Sequence, residues 1–162
     1  MSDTGAWYAV IDCAQDPRLI DLVGACRDRL CLFKGRNLAP ALLAVAPWLV
    51  RIDPAEPLMA TWQQHGHGRN WGIWAYSSAS LAGLQRHFRR FLQAKLPDGM
   101  IVLFRFYDPR VLGTYLKAAT PEEREPWFAQ VQQFRVEGEQ PGVMHDYRLW
   151  QGQLYDGASR IG

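Results

Sequence analysis

The sequence lacks the features that would assign it to a membrane, secreted or disulfide-stabilised class. No apolar run approaches the roughly 18 residues that a membrane span needs, and the N-terminus shows no basic region followed by an apolar one, as a signal peptide would. The three cysteines, Cys13, Cys26 and Cys31, are odd in number and lie in apolar runs, which argues against a disulfide framework. Free buried thiols suit a reducing compartment, so we expect a cytoplasmic protein with no membrane partner.

A large excess of charge is also absent. The 162 residues carry a formal net charge of +2, so nothing requires a polyanionic partner. The segment from Arg86 to Phe91 mixes basic and aromatic side chains, which suggests nucleic-acid binding through the Arg86–Arg90 helix. Its phenylalanines, however, fit the apolar stripe of an amphipathic helix with a solvated arginine face. We therefore expect no nucleic-acid partner and keep this function as a third alternative.

Recognisable catalytic and metal-binding motifs are missing as well. There is no G-x-S-x-G, no H-E-x-x-H and no G-x-G-x-x-G after a strand. His65 and His67, taken with the cysteines, match no usual zinc spacing. His145 and Asp146 are adjacent, so on a strand their side chains would point to opposite faces. The sequence therefore predicts no catalytic residue, no cofactor and no metal, and a protein that is not an enzyme.

Tryptophan, in contrast, is abundant, with seven in this short chain. Some indoles belong in the core, because two or three of them can anchor most of a small domain. The others suggest an interaction surface, since tryptophan and tyrosine are typical interface anchors. Four unassigned aromatics are candidate contacts to another protein, with a core position favoured for the first two: Trp62, Trp127, Trp150 and Tyr155.

Apolar segments with strand character alternate along the chain with segments that begin with helix-capping residues. The predicted strands are Trp7–Cys13, Cys31–Phe33, Pro47–Val50, Trp71–Tyr76 and Met100–Phe106. Because helical crossovers join parallel strands, this alternation predicts a single α/β domain with a mostly parallel or mixed central sheet and helices on both faces. Met100–Phe106 is the most apolar strand, so we place it at the centre. Residues 1–140 form the predicted domain, and residues 141–162 form a tail that is either an edge strand or a partly ordered arm.

Arg105 stands out inside the most apolar predicted strand. A buried guanidinium is costly unless a carboxylate pairs with it, and Asp12 or Asp53 could supply one. A structural ion pair is the favoured interpretation. The alternative is a small α/β enzyme with an unfamiliar polar site around Arg105 and Asp108.

The same region carries a resemblance to a known family. The run Leu103-Phe104-Arg105-Phe106-Tyr107-Asp108-Pro109-Arg110-Val111-Leu112, together with Ala46-Pro47-Trp48-Leu49-Val50, resembles the adaptor (chaperone) domain of type VI secretion effectors, catalogued as domain of unknown function 4123. The resemblance covers roughly residues 7 to 135. It implies a bacterial cytosolic adaptor that binds a cognate toxic effector before export, helps to deliver it to the VgrG spike or its PAAR cap, and is not an enzyme.

The resemblance also implies a set of signature residues, which either hold the fold together or bind a partner: Pro47, Leu49, Arg105, Phe106, Tyr107, Asp108, Pro109 and Arg110. Many family members carry a further variable lobe that contributes effector contacts. Here residues 141–162 stand in its place, so we expect either a minimal adaptor or a tail that does the work of the lobe. Trp62, Trp127, Trp150 and Tyr155 are then the candidate effector contacts.

Overall fold

The computed structural model describes residues 4–160, and within that range seven strands form one sheet in the order β2-β3-β1-β4-β7-β8-β9. A separate two-stranded hairpin is formed by β5 and β6. The strands are Ala6–Asp12 (β1), Arg29–Cys31 (β2), Pro47–Arg51 (β3), Gly72–Ser77 (β4), Gln93–Lys95 (β5), Ile101–Leu103 (β6), Gln133–Glu137 (β7), Val143–Trp150 (β8) and Gln153–Arg160 (β9).

The helices are short, and several begin with the capping residues that the sequence indicates. Ser80 caps α4 by accepting a hydrogen bond from the Gly83 amide, and Thr120 forms a capping box with Glu123. The helices are Leu19–Gly24 (α1), Pro40–Leu43 (α2), Pro57–Thr61 (α3), Leu81–Arg89 (α4), Pro109–Ala118 (α5) and Pro121–Arg124 (α6), with a π-helical turn at Trp62–Gly66 and a 3₁₀ turn at Glu125–Phe128.

The prediction of a mostly parallel or mixed α/β sheet flanked by helices is wrong. Every pair of neighbouring strands in the seven-stranded sheet is antiparallel. A helix implies a parallel crossover only if it is long enough to carry the chain back along a strand. At its six residues α1 is about 9 Å long, whereas the seven residues of β1 extend for about 23 Å. The molecule is therefore built on a large antiparallel sheet with a few short helices.

The prediction that Met100–Phe106 is a central strand is also wrong. Only Ile101–Leu103 is extended, and it pairs with Gln93–Lys95 outside the main sheet. The chain leaves the strand conformation before Phe106, which is buried in the core next to α4 and α5. The centre of the sheet is β1, which pairs with β3 on one side and β4 on the other.

The sheet packs its two faces into two different cores. One face joins α4, α5 and the 3₁₀ turn around Phe88, Phe106, Leu112, Phe134 and Tyr147. The opposite face joins α1, α3 and the π-helical turn, and this core gathers residues of β1 and β3 with Leu19, Val23 and Trp62. The second core therefore covers only part of its face. No helix in the described range is long and apolar enough to cross a membrane.

The C-terminal segment completes the sheet. Val143–Trp150 pairs with β7 along one side and with β9 along the other, so the hairpin adds two eight-residue strands. The β8–β9 register is unbroken from the Val143–Arg160 pair to the Trp150–Gln153 pair. Within the described residues, β8 is thus an inner strand of the sheet and β9 lies at its edge.

Candidate protein-binding surface

Arg105 forms an ion pair with Asp12. Asp12, at the end of β1, is 1% exposed, and its carboxylate also accepts hydrogen bonds from the Ala14 amide and the Gln15 side chain. The favoured structural ion pair is thus present, with Asp12 rather than Asp53 as the partner. The sequence predicts a buried Arg105, and this is wrong: 44% of its side chain is exposed.

Asp108 is engaged within its own helix start. Its carboxylate accepts a hydrogen bond from the Arg110 amide at 2.9 Å and pairs with the Arg110 guanidinium at 2.7 Å. Burial alone would raise the pKa of Asp108, but the hydrogen bonds from Arg110 outweigh it and the pKa is lowered. The polar groups of the Arg105–Arg110 motif are therefore already paired inside the chain.

The apolar signature residues lie in or beside the core. Leu49 and Phe106 are fully buried, and Pro47 begins β3 opposite Asp12. Tyr107 is buried as well, and burial raises the pKa of its phenol to about 12. Pro109 is the first residue of α5, directly after the Asp108 cap. These positions give the signature a packing role that links the end of β1 to α5.

The four candidate aromatics fall into two groups. Trp62 and Trp127 are buried in different cores, where Trp62 packs edge-on against Trp71 and Trp127 stacks on Phe91 with ring centroids 4.0 Å apart. Trp150 and Tyr155 lie on the β8–β9 hairpin with 65% and 54% of their surface exposed. The structure therefore does not bring the four together, and of the four only Trp150 and Tyr155 are exposed.

Trp150 and Tyr155 belong to a larger uncovered area that we call the open face. The strand register aligns Trp7, Tyr76, Gln133, Arg148 and Tyr155 in one row across the sheet. A second row runs through Trp74, Arg135, Asp146 and Gly157. The open face consists of these two rows together with Met144, Trp150, Gln153 and Ser159.

The open face carries two arginines, Arg135 and Arg148, and only Arg135 is paired with a carboxylate among the described residues. The Arg135 guanidinium lies 4.5 Å from the centre of the Trp7 ring and pairs with Asp146 at 2.7 Å. Arg148 is exposed, and among the described residues it hydrogen-bonds only the Gln133 side-chain oxygen, at 2.6 and 2.9 Å. The open face therefore combines aromatic rings with an arginine that lacks a carboxylate, which is the composition of interface hot spots.

A cavity of about 270 Å³ opens on the same face, between the π-helical turn and β8. Trp74, Arg135, Met144 and Ser159 contribute to its wall from the sheet. On the other side, the Gly68 amide donates a hydrogen bond of 2.7 Å to Glu137, which ties the segment after the π-helical turn to β7. The cavity gives the open face a recess large enough for one apolar side chain of a partner.

The β5–β6 hairpin forms a second uncovered apolar surface. Met100 and Ile101 are 58% and 62% exposed, and Leu96 and Leu103 are exposed as well. The Pro97-Asp98-Gly99 turn joins its two strands, and the Gly99 amide donates to the Leu96 carbonyl oxygen at 2.8 Å. Sequence reasoning missed this surface because it treated the same apolar residues as the centre of the sheet.

A polar cleft of about 820 Å³ lies on the opposite side of β7–β9, against α5. It is lined by Arg110, Lys117 and His145 among others, and His145 Nδ1 lies 2.8 Å from an oxygen of Asp156. Arg105 and Asp108, which the enzyme alternative places at its site, are not part of the lining. His145 and Asp146 indeed point to opposite faces, since Asp146 pairs with Arg135 on the open face.

The arginine-rich helix uses part of its basic side for internal contacts. The Arg89 guanidinium donates to the carbonyl oxygens of Cys31, Leu32 and Phe33 at 3.0 to 3.2 Å. Phe88 is fully buried and Phe91 stacks on Trp127, so neither ring is available to stack on a base. His67 lies near Glu137, but the described residues contain no group of three potential metal ligands.

A family model described as "Domain of unknown function (DUF4123)" matches residues 7–126. No curated protein matches significantly, and neither does any solved structure. The match includes β1 to β6 and the Arg105–Arg110 motif, whereas β7, β8 and β9 lie beyond it. The larger part of the open face is therefore built by strands outside the matched region.

Proposed function

The chain belongs to the DUF4123 family, and from this we propose that it is a cytoplasmic adaptor that binds a type VI secretion effector and helps to load it onto the VgrG spike or its PAAR cap. The resemblance of the signature motif to effector adaptors supports the secretion role. The mechanism is stoichiometric binding rather than catalysis. The adaptor covers an effector segment until that segment is transferred to the secretion apparatus.

The observation that carries this proposal is the open face. Trp150, Tyr155 and Arg148 are exposed side by side on strands that pair in register, so the sheet holds them rigidly. Ordering flexible side chains costs binding energy, and a preformed surface avoids much of that cost. Because these residues follow the matched region, the effector-binding part can differ between family members while residues 7–126 keep the common fold.

An adaptor that binds both an effector and a spike component can use a separate surface for each. The open face is aromatic and carries Arg148, which has no carboxylate partner within residues 4–160, whereas the β5–β6 hairpin is aliphatic around Met100 and Ile101. We assign the effector to the open face and the spike component to the hairpin. A complex that contains effector, adaptor and spike together is then sterically allowed.

Co-purification tests the proposed function. The tagged chain is expressed in its native host under conditions that induce the secretion system, and bound proteins are identified by mass spectrometry. We expect one toxin-like effector in about equal amount, with or without VgrG or PAAR. A chain that emerges alone from such cells contradicts the adaptor function and turns attention to small ligands of the polar cleft.

Two variants test whether the effector binds to the open face. Trp150→Ala and Tyr155→Ala should each retain less effector, because truncating an exposed aromatic anchor typically costs about 1–4 kcal/mol of binding. Both should keep the wild-type melting temperature. Leu42→Ala removes an exposed apolar side chain of α2 and serves as the control. Equal effector retention by all three variants would remove the open face from the proposal.

A further inference from the structure

The two edges of the main sheet differ. The β2 edge is only three residues long, and side chains of α4 bind the carbonyl groups at its end and in the two residues that follow. Gln85 donates to the Cys31 carbonyl oxygen at 2.9 Å, and Arg89 donates to the carbonyl oxygens of Cys31, Leu32 and Phe33. Proteins commonly cover or shorten sheet edges in this way, because an uncovered edge pairs with other chains.

The β9 edge has no such protection. It is eight residues long, its register with β8 has no bulge, and it contains neither proline nor lysine. Within residues 4–160 it pairs with β8 alone. The chain thus closes one edge of its sheet with side chains and leaves the other uncovered.

The turn before β9 determines which backbone groups face outward. Gln151 and Gly152 both have positive φ angles, as in a two-residue type I′ hairpin, so Trp150 and Gln153 form the first hydrogen-bonded pair. Hydrogen-bonded and non-hydrogen-bonded pairs alternate along an antiparallel ladder. Leu154, Asp156 and Ala158 therefore direct their N–H and C=O groups away from β8, toward the uncovered edge.

We propose that β9 binds an extended segment of the effector as an additional antiparallel or parallel strand of the sheet. The inference rests on the proposed adaptor function and specifies how the effector is held. The outward backbone groups of Leu154, Asp156 and Ala158 supply the hydrogen bonds, which do not depend on the effector's side chains. Tyr155 lies on the open face directly beside the new strand, and Trp150 lies one strand further in on the same face, so long side chains of the new strand can contact both rings.

The side chains around β9 indicate which effector sequence would pair with this edge. An apolar side chain is favoured where it packs on Tyr155, and an acidic one is favoured within reach of Arg148, which has no carboxylate partner among the described residues. Gly157 and Ser159 leave room for large side chains on the same face. Asp156 requires no basic partner, because His145 and Lys117 already lie 2.8 and 3.8 Å from its carboxylate. Proline is excluded at the positions that donate to β9.

A second copy of the chain is a poorer occupant of the edge. Antiparallel self-pairing centred on Gly157 would place Ser159 of one copy opposite Tyr155 of the other, so the exposed ring would gain no apolar neighbour. A register that places Tyr155 opposite its own copy pairs only residues 153–157 of β9. Neither arrangement provides a carboxylate for Arg148 beyond those already paired.

Amide hydrogen exchange tests the inference without any substitution. The probe is the effector identified by co-purification, expressed separately and added to the purified chain. We expect the Leu154, Asp156 and Ala158 amides to exchange at least about tenfold more slowly in the complex. The Tyr155 and Gly157 amides, which already donate to β8, are the internal reference and should change less. A complex in which the three outward amides exchange as in the unbound chain overturns the inference.

One substitution gives an independent test. Ala158→Pro removes an outward N–H and leaves the bonds to β8 in place, whereas Ala158→Ser keeps that N–H and is the matched control. We expect the proline variant to bind the effector about tenfold more weakly than the serine variant. Equal affinity of two folded variants overturns the inference. If Ala158→Pro does not fold, the exchange experiment decides.

The outcomes separate this inference from the proposed function. If the wild-type chain binds no effector, the adaptor function and the edge-strand inference both fail. If it binds the effector with unchanged exchange at the β9 edge, only the edge-strand inference fails. A chain that runs as a dimer without effector, and becomes monomeric on Ala158→Pro, would assign the edge to a second copy and overturn the inference as well.

Discussion

A single carboxylate, that of Asp12, joins β1 to the segment that precedes α5 through its contact with Arg105. Arg105→Ala leaves Asp12 buried with only the Ala14 and Gln15 donors. Loss of a partner from a fully buried pair costs about 3–5 kcal/mol, and partial solvent screening of Arg105 reduces this to about 1–2 kcal/mol. Urea unfolding measures the difference.

Arg110→Ala is the matched control for that change. The Arg110 side chain is 64% exposed, so its pair with Asp108 should contribute no more than about 1 kcal/mol. If Arg105→Ala and Arg110→Ala have the same free energy of unfolding, the burial of Asp12 does not make its ion pair more stabilising than an exposed one.

The cysteines lead to a prediction about reactivity. Burial raises the pKa of Cys13 to about 12 and that of Cys26 to about 11, and it also raises the pKa of the half-buried Cys31. Thiolate is the reactive form, so all three should react slowly with iodoacetamide at pH 8 in the folded chain. Mass spectrometry should detect little labelling until urea is added. Fast labelling of Cys13 in the folded chain would contradict its buried environment.

His87 makes stability depend on pH. Burial lowers its pKa below the usual 6.5, despite a contact of 3.1 Å between Nε2 and the Trp127 carbonyl oxygen, and its Nδ1 has no partner among the described residues. Below pH 6.5 the unfolded chain binds a proton that the folded chain does not. Stability should therefore fall as the pH drops from 6.5 toward the lowered pKa, by up to about 1.4 kcal/mol per pH unit.

His87→Gln tests this dependence, because glutamine can still donate to the Trp127 carbonyl oxygen but does not titrate. Unfolding midpoints measured between pH 5 and 7.5 should vary less in the variant than in the wild type. Parallel pH profiles for the two proteins would assign the dependence to other groups.

At the residue scale, sequence reasoning was most successful where one side chain has one strong requirement. The cost of burying an unpaired charge predicted an ion pair of Arg105 with Asp12 or Asp53, and the pair with Asp12 is present, although the carboxylate and not the guanidinium is the buried partner. It missed Arg135 and Arg148, because their importance comes from neighbours on other strands. The row from Trp7 to Tyr155 exists only once the strand register is known.

At the scale of elements, β5 and β6 provide a direct test of the corrected fold. Ile101 and Leu103 are both exposed, so the double change to serine should alter the free energy of unfolding by no more than about 1 kcal/mol. Leu112→Ala, in the core, should cost about 2–5 kcal/mol. A double variant as destabilised as Leu112→Ala would show that the β5–β6 segment is part of the core.

If the β5–β6 hairpin also binds the spike component, as proposed, the double variant should lose VgrG or PAAR and keep the effector.

Strand and helix positions were largely predictable, whereas the sense of pairing was not. The predicted Trp7–Cys13 and Trp71–Tyr76 strands correspond to β1 and β4, and Asp108-Pro109 begins α5. Apolarity, however, does not distinguish a core strand from an exposed hairpin, as Met100–Leu103 shows. Nor do helix signals between strands reveal whether the helix is long enough to make a parallel crossover.

For the whole molecule, the decisive feature is that the sheet continues beyond the family match. Residues 1–140 alone would lose β8, and with it Tyr147, which is buried against Phe134 and α5. Loss of a buried aromatic ring costs about 3–5 kcal/mol, a large part of a typical total of about 5–15 kcal/mol. We expect this truncated chain to unfold at a much lower temperature than residues 1–162 when unfolding is followed by circular dichroism. A fragment 1–140 as stable as the full chain would show that the C-terminal hairpin adds nothing to the stability of the core.

The order of the strands in the sheet is a property of the whole molecule, and local sequence patterns do not predict it. Each segment indicates that it is a strand, but the neighbours of that strand depend on how all the helices fit over the two faces. This is why the uncovered β9 edge and the closed β2 edge could not be predicted. Both follow from the order in which seven strands are assembled.

The central place of β1 has a consequence during synthesis. It comes first in the chain among the described strands, yet its two neighbours end at Arg51 and Ser77. At roughly 5–20 residues per second, the 65 residues from Asp12 to Ser77 take about 3–13 s to make. Until Arg51 has been made, this strand, which is apolar on both faces, has no native partner, and until Ser77 has been made it lacks the second one. We therefore expect the nascent chain to expose apolar surface that the cell's chaperones bind before the sheet is complete.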